Sequence, residues 1–215
     1  MTHEHWPLFE LCVRTPQIAL RYPDDDDVMA LADLAAAGIH DPSTMPFSFP
    51  WTDVEPPLQQ RGSIQHLWSR RADWRPEQWH LLFAVVVEGS VVGVQEVNAH
   101  DFAVRRTVAT GSWLGRAHQD RGIGREMRAA VLHFAFDGLG AQRAESGAFA
   151  DNARSLAVSR RLGYRENGTD IVTRRGEAAT LVRLVLDRDD WLANRRDDIE
   201  IDGLEACRAL FGRAS

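Results

Sequence analysis

Apolar positions along this chain change period several times. PQIALRY reads as an opening strand, and DDDDVMALADLAAAG as a helix with acidic residues in its first turn and Gly38 at its end. A further helix is expected around Gln60 to Arg71. From His80 the pattern turns to strands: HLLFAVVV and VVGVQEVNA are β-rich runs joined by the turn residues EGS, which predicts a hairpin, and TVATGSWL adds another strand. REMRAAVLHFAFDGLG returns to helical spacing in a helix that opens at Gly122. The strand candidate QRAESGAF follows, then a second helix from about Asn152 to Leu162, ended by Gly163. YRENGTDIV and ATLVRLVLDR are the last long strands, and DGLEACRALFG is a short terminal segment. The sum is a mixed α/β domain with a hairpin-rich first half and a β-α-β-α-β second half.

Between the first two helices, HDPSTMPFSFPWTDVEPP holds five of the nine prolines and three aromatics, the composition of an ordered loop. Phe47, Phe49 and Trp51, with Trp68 on the next helix, either wall a pocket for an acyl group or acceptor or plug the end of the core. A length of 215 residues fits one domain spanning 1–215, with a C-terminal extension from about 190. A net charge of -6 argues against a nucleic-acid partner bound by phosphate neutralisation. No apolar run approaches the roughly 18 to 20 residues of a membrane helix, and MTHEHWPLFE lacks a signal core, so the expected location is the cytoplasm, with no membrane partner. Cys12 and Cys207 lie near opposite ends and read as reduced thiols. All 25 basic residues are arginines. The absence of lysine excludes Schiff-base and pyridoxal-phosphate chemistry and a GxxxxGK phosphate loop. Asp24 to Asp27 read as a solvated helix start, and His3 and His5 lack identifiable partners, so no metal is assigned.

QDRGIG, at 119–124, places two glycines at the mouth of a helix. A helix start offers unpaired amides and the positive end of the helix dipole, and glycine lets an anion approach closely. The amides of Arg121 to Arg125 could therefore cradle a diphosphate; alternatively, the glycines only turn the chain. A dinucleotide fingerprint fails, because Met127 stands where the third glycine belongs. About 30 residues on, ADNARSLAVSRRLGY puts Asn152, Ser155 and Ser159 on one helical face. Taken singly, Asn152 is equally a helix cap and the serines equally packing residues.

Together the two motifs resemble the GNAT superfamily of acyl-CoA-dependent N-acyltransferases, and within it the RimJ/RimL-like branch. Gln119, Gly122 and Gly124 match the family's Gln/Arg-x-x-Gly-x-Gly/Ala loop, GSWLG its preceding strand, and FADNARSLAVSRRLGY its following strand end and helix. HWPLFEL, MPFSFPWT and IDGLEACRALFG are also similar to an actinobacterial subgroup associated with succinyl-CoA. The resemblance implies a GNAT fold, with a mixed, mostly antiparallel central sheet whose strands splay at the CoA site. It implies acyl-CoA, acetyl or succinyl, as co-substrate, and an amine acceptor, either a protein N-terminus or a small molecule, with no metal. A homo-oligomer is compatible with it.

By the same resemblance the amides of Arg121, Gly122, Ile123, Gly124 and Arg125 would hold the CoA diphosphate. Trp113 and Leu114 would offer main-chain groups to the pantetheine arm, and Asn152 and Ser155 would contact it. Many members carry a tyrosine on the second helix to protonate the leaving thiolate; the aligned residue here is Ser159. Glu96 and Asp101 are the candidates for deprotonating the amine, with His100 as a third. Arg70 and Arg71, or Arg105 and Arg106, are the cations nearest the expected acyl end that could meet a succinyl carboxylate. The expected activity is direct N-acyl transfer, and the alternative is a non-catalytic acyl-CoA-binding or sensing module.

Overall fold

The structure is a computed structural model and describes residues 4–212; His3 lies outside them. The chain begins with two short strands, β1 (Cys12–Arg14) and β2 (Ala19–Arg21), and the helices α1 (Asp25–Ala36) and α2 (Leu58–Ala72). A long hairpin follows, β3 (Gln78–Val87) and β4 (Ser90–His100), then the single turn α3 (Phe102–Arg105) and β5 (Thr107–Leu114). The second half runs α4 (Ile123–His133), β6 (Arg143–Phe149), α5 (Ala153–Arg161), β7 (Arg165–Arg174) and β8 (Glu177–Asp187). The C-terminal part adds α6 (Arg188–Leu192), β9 (Glu200–Asp202) and α7 (Leu204–Cys207).

Among the described residues the strands form one nine-stranded sheet in the order β7-β8-β6-β5-β4-β3-β2-β1-β9. All neighbours are antiparallel except β5 and β6. This is the mixed α/β domain that the periodicity indicates, with the mostly antiparallel sheet that the resemblance implies. Glu88 and Gly89 make the β3–β4 turn with φ of 48° and 80°, the left-handed pair a two-residue hairpin needs. β1 and β9 escape the pattern because three residues carry no period; both exist by pairing along β2 and each other.

One sheet face carries α1 and α2 over a small cluster of Val28, Leu31, Leu67, Leu82, Ala84 and Val94. The opposite face, under α4 and α5, holds the main core, including Phe83, Val97, Phe134 and Leu156. The C-terminal extension enters that core. Phe211 is fully buried, its ring 5.0 Å from Trp79 and 5.5 Å from Trp74, and the Trp74 indole donates to Leu210 O (2.9 Å). Arg196 clamps Glu126 of α4 with two bonds of 2.7 and 2.9 Å, so the extension also braces the first turns of that helix.

β5 and β6 pair in parallel only from Thr107 opposite Arg143 to Ala109 opposite Glu145. Beyond that point β5 stays with β4 as far as Leu114 opposite Gly93, while β6 follows β8 to Phe149 opposite Leu181. The two strands part, leaving a slot between 110–114 and 146–149. Among the described residues no strand neighbours the main chain on the open side of β5 there.

Candidate active site

The C-terminal end of β5 leads into the glycine loop at the mouth of this slot. Gly122 caps α4 with φ 83°, a conformation that side-chain-bearing residues avoid. The first bonds within the helix are those of Arg125 N and Glu126 N to Gly122 O, at 3.0 and 3.1 Å. The Arg125 amide is thereby turned inward, so the anion cradle is narrower than the sequence indicates and rests on the amides around Gly122, Ile123 and Gly124. A Cβ built on Gly122 meets nothing within 4 Å, and one on Gly124 meets only Leu114 Cδ1 at 3.8 Å. The space these glycines leave open is thus not needed by the chain's own packing, and it suits a diphosphate.

Gln119 serves the loop as a brace. Its Nε2 donates to Ile39 O (2.7 Å) and Leu114 O (2.9 Å), fixing the loop against both β5 and the end of α1. Trp113 O is turned toward Gly93 of β4, so on this stretch it is the Leu114 carbonyl, already met by Gln119, that faces away from β4. Arg154 reaches Asp120 at 3.1 Å and joins the start of α5 to the loop. Asn152 caps α5 by accepting from Ser155 N at 3.1 Å, which sets both residues beside the same opening.

Glu96 projects from β4 toward the α1–α2 face. It sits opposite Gly111 of β5, and a Cβ on Gly111 would stand 3.4 Å from its Oε2. The other oxygen is 3.0 Å from His80 Nδ1 and accepts from Asn98 Nδ2 at 3.0 Å. Burial pushes its carboxyl up, but His80, Asn98 and the Arg70 charge outweigh this and hold it below the usual glutamate range. His66 of α2 faces the same cluster, its pKa lowered by burial and by Arg70. The aromatic loop walls this side near Trp113: Phe47 lies 5.3 Å from Trp51, and Trp51 lies 6.1 Å from Trp113. Phe49 and Trp68 stay outside the wall, 74% and 45% exposed. The loop is tied down by Arg175 at the β7–β8 tip, which grips Asp53 at 2.5 and 2.7 Å.

Other sequence candidates lie elsewhere. Asp101 and His100 pair with each other at 2.9 Å at the far end of β4, on the order of 16 Å along the strand from Glu96 and away from the slot. They are not brought to the site, because β4 runs antiparallel to β5 and the slot opens only at the C-terminal end of β5. Arg105 and Arg106 stand at the same wrong end. Arg71 is occupied by Asp25 (2.6 Å) and Pro23 O (2.7 Å). Arg70 remains: its buried Nε has no partner among the described residues, and its charge acts on both Glu96 and His66.

Ser159 is fully buried and faces the slot's other side. Its hydroxyl donates to Ser155 O (3.0 Å) and accepts from Arg128 NH1 (2.6 Å). Sequence reasoning passed over Arg128; the only signal is a charged residue amid the apolar positions of the REMRAAVLHF helix.

A family model for the acetyltransferase (GNAT) domain matches residues 17–165, more than half of the chain. The chain belongs to this family. The GNAT fold is also that of RimL, a ribosomal L7/L12 alpha-N-protein acetyltransferase solved with coenzyme A, at 20% identity and TM-score 0.67, covering 82% of this chain and 97% of that one. A chimera of spermidine N-acetyltransferase SpeG from Vibrio cholerae and hSSAT matches at 16% identity and TM-score 0.65 over 82% and 98% of the two chains. A microcin C7 self-immunity acetyltransferase solved with acetyl-CoA and AMP matches at 19% identity and TM-score 0.65 over 80% and 93%. A protein N-terminal and a polyamine acetyltransferase thus share this fold at similar distances, so the GNAT scaffold supports acyl transfer from CoA without choosing the acceptor. Among the described residues no three His, Cys, Asp or Glu side chains gather as a metal site, and no helix is long and apolar enough to cross a membrane.

With its single hydrogen committed to Ser155 O, Ser159 is a poor proton donor to sulfur. Ser159→Ala is expected to slow single-turnover transfer only about tenfold, worth ~1.4 kcal/mol. A loss beyond about a thousandfold with CoA binding intact would assign it the acid role.

Proposed function

We propose that the whole chain is one acyltransferase unit, a cytoplasmic enzyme that moves an acyl group, acetyl or succinyl, from acyl-CoA directly to a primary amine of a protein N-terminus or a small molecule. The observation that carries this is the conjunction of the β5–β6 slot with the glycine helix start at its mouth and a half-buried, ionised Glu96 on the α1–α2 face beside it. The loop amides hold the diphosphate, Gln119 keeps the loop in place, and Arg121 and Arg125 add charge around it. Trp113 and Leu114 line the pantetheine arm on one side, Asn152 and Ser155 on the other. Glu96, helped by His80, takes the proton of the incoming ammonium through water, so that the neutral nitrogen attacks the thioester carbonyl. A ping-pong route through Cys12 has no support: it lies on β1, and burial raises its thiol pKa, which disfavours the thiolate.

The test is release of free CoA thiol when the purified protein meets acyl-CoA and a panel of amines. Release above background supports the enzyme; saturable binding without release would instead make the protein an acyl-CoA sensor. Running acetyl-CoA against succinyl-CoA in the same assay, with Arg70→Ala beside the unmodified protein, addresses the acyl group. A succinyl preference that collapses in Arg70→Ala supports Arg70 as the carboxylate partner, since a buried carboxylate needs such a cation. Equal use of both donors by the unmodified protein removes that role.

A further inference from the structure

Arg128 extends from α4 to the slot and is 6% exposed. Its NH1 donates to Ser159 Oγ at 2.6 Å and its NH2 to Ser112 Oγ of β5 at 3.4 Å, while the buried Nε has no partner. Among the described residues no carboxylate forms an ion pair with it. The group acting on it electrostatically is the phenol of Tyr164, which is buried, 3.3 Å from Thr110 Oγ1, and kept neutral as burial raises its pKa. A guanidinium out of water with only hydroxyl dipoles around it costs several kcal/mol, and this one remains protonated. Such a charge calls for an anion, and the fold brings no anionic side chain to it. The hydroxyls it touches flank the slot from two sides, Ser112 on the strand and Ser159 on the helix.

We propose that Arg128 is a catalytic cation that stabilises the thiolate of coenzyme A as it leaves. This rests on the acyl-CoA reading above. The ammonium proton passes through water to Glu96 and on to solvent, the freed lone pair forms the C–N bond at the thioester carbonyl, and the second proton, now on the bonded nitrogen, leaves by the same water path to Glu96. Collapse breaks the C–S bond, its electron pair goes to sulfur, and the thiolate pairs with the Arg128 guanidinium, which loses no proton. The sulfur is protonated by solvent on release. Ser159, in the place of the family's tyrosine, thereby acts as a rest for the guanidinium instead of an acid.

The decisive measurement is the pH titration of the CoA thiol in its complex with the full-length protein, followed by the ultraviolet absorbance of the thiolate. A free thiol titrates near 8.5; bound beside Arg128 it is expected about one unit or more lower. In the complexes of Arg128→Met and of Arg128→Gln, which keeps donors but no charge, that lowering is lost. Single-turnover transfer falls at least about tenfold, and the affinity for acyl-CoA stays within about twofold. Should the Met variant fail to fold, the Gln variant carries the comparison. A bound thiol that titrates like free CoA in the unmodified protein, or a lowered pKa that survives loss of the charge, overturns the proposal while leaving the transferase assignment standing. Failure of the unmodified protein to bind CoA overturns both.

Discussion

Gly124→Val is expected to cut affinity for coenzyme A about a hundredfold, ~3 kcal/mol, while the protein stays folded. Position 124 lies within the first turn of α4, where backbone dihedrals are open to any residue, and an added Cβ there contacts the chain only at Leu114 Cδ1, 3.8 Å away. A β-branched side chain would thus leave the packing alone and stand where the diphosphate must approach the amides. Gly122 is a less clean site for the same test, since its φ of 83° would strain a side-chain-bearing residue whatever was bound. Calorimetry on Gly124→Val, with a thermal melt to confirm the fold, reads the effect. Unchanged CoA affinity in the folded variant would remove the loop from the binding site.

Glu96→Gln should lower kcat by about a hundred- to a thousandfold, the range for loss of a general base, with little change in acyl-CoA affinity. The amide preserves the shape and one hydrogen-bonding oxygen beside Asn98 and His80 but cannot take a proton. Although burial favours the neutral acid, His80, Asn98 and Arg70 together keep the folded pKa below the ordinary value, so the base is ionised throughout the neutral range. Its proton returns, and its contribution to stability is lost, only as pH falls through that lowered pKa. In the unmodified protein kcat/KM should therefore show no Glu96 limb near neutrality, and its rise toward alkaline pH should follow the acceptor amine. A Glu96→Gln enzyme within about threefold of the unmodified rate would show that the water alone, or another group, removes the proton.

How much of this was legible beforehand follows from the range of the interactions involved. The β3–β4 hairpin, β5, the two helices of the second half and their glycine ends were readable because period, turn residues and caps act over a few neighbours. The two motifs were readable for the same reason, and Asn152 caps its helix where its position in the sequence places it. Asp101 shows the limit: it directly follows β4, the strand that carries Glu96, yet strand direction sends it to the end of the sheet away from the slot. The inward turn of the Arg125 amide likewise depends on where the helix ladder starts, which the residue pattern does not fix to within one position.

By itself the sequence determined the α/β alternation, the glycine helix start, the acidic and lysine-free composition, and through its motifs the acyl-CoA resemblance that the family match then showed. Only the tertiary structure decided where β5 leaves β6, which carboxylate stands beside that opening, which arginine keeps a free buried donor near it among the described residues, and that Arg128 lies buried against Ser159 without a counter-ion among them. The physical reason is that local periodicity sets which face of its own element a residue takes. Burial, ion pairing and the pKa of a group are set instead by the elements packed against that face, which come from distant parts of the chain.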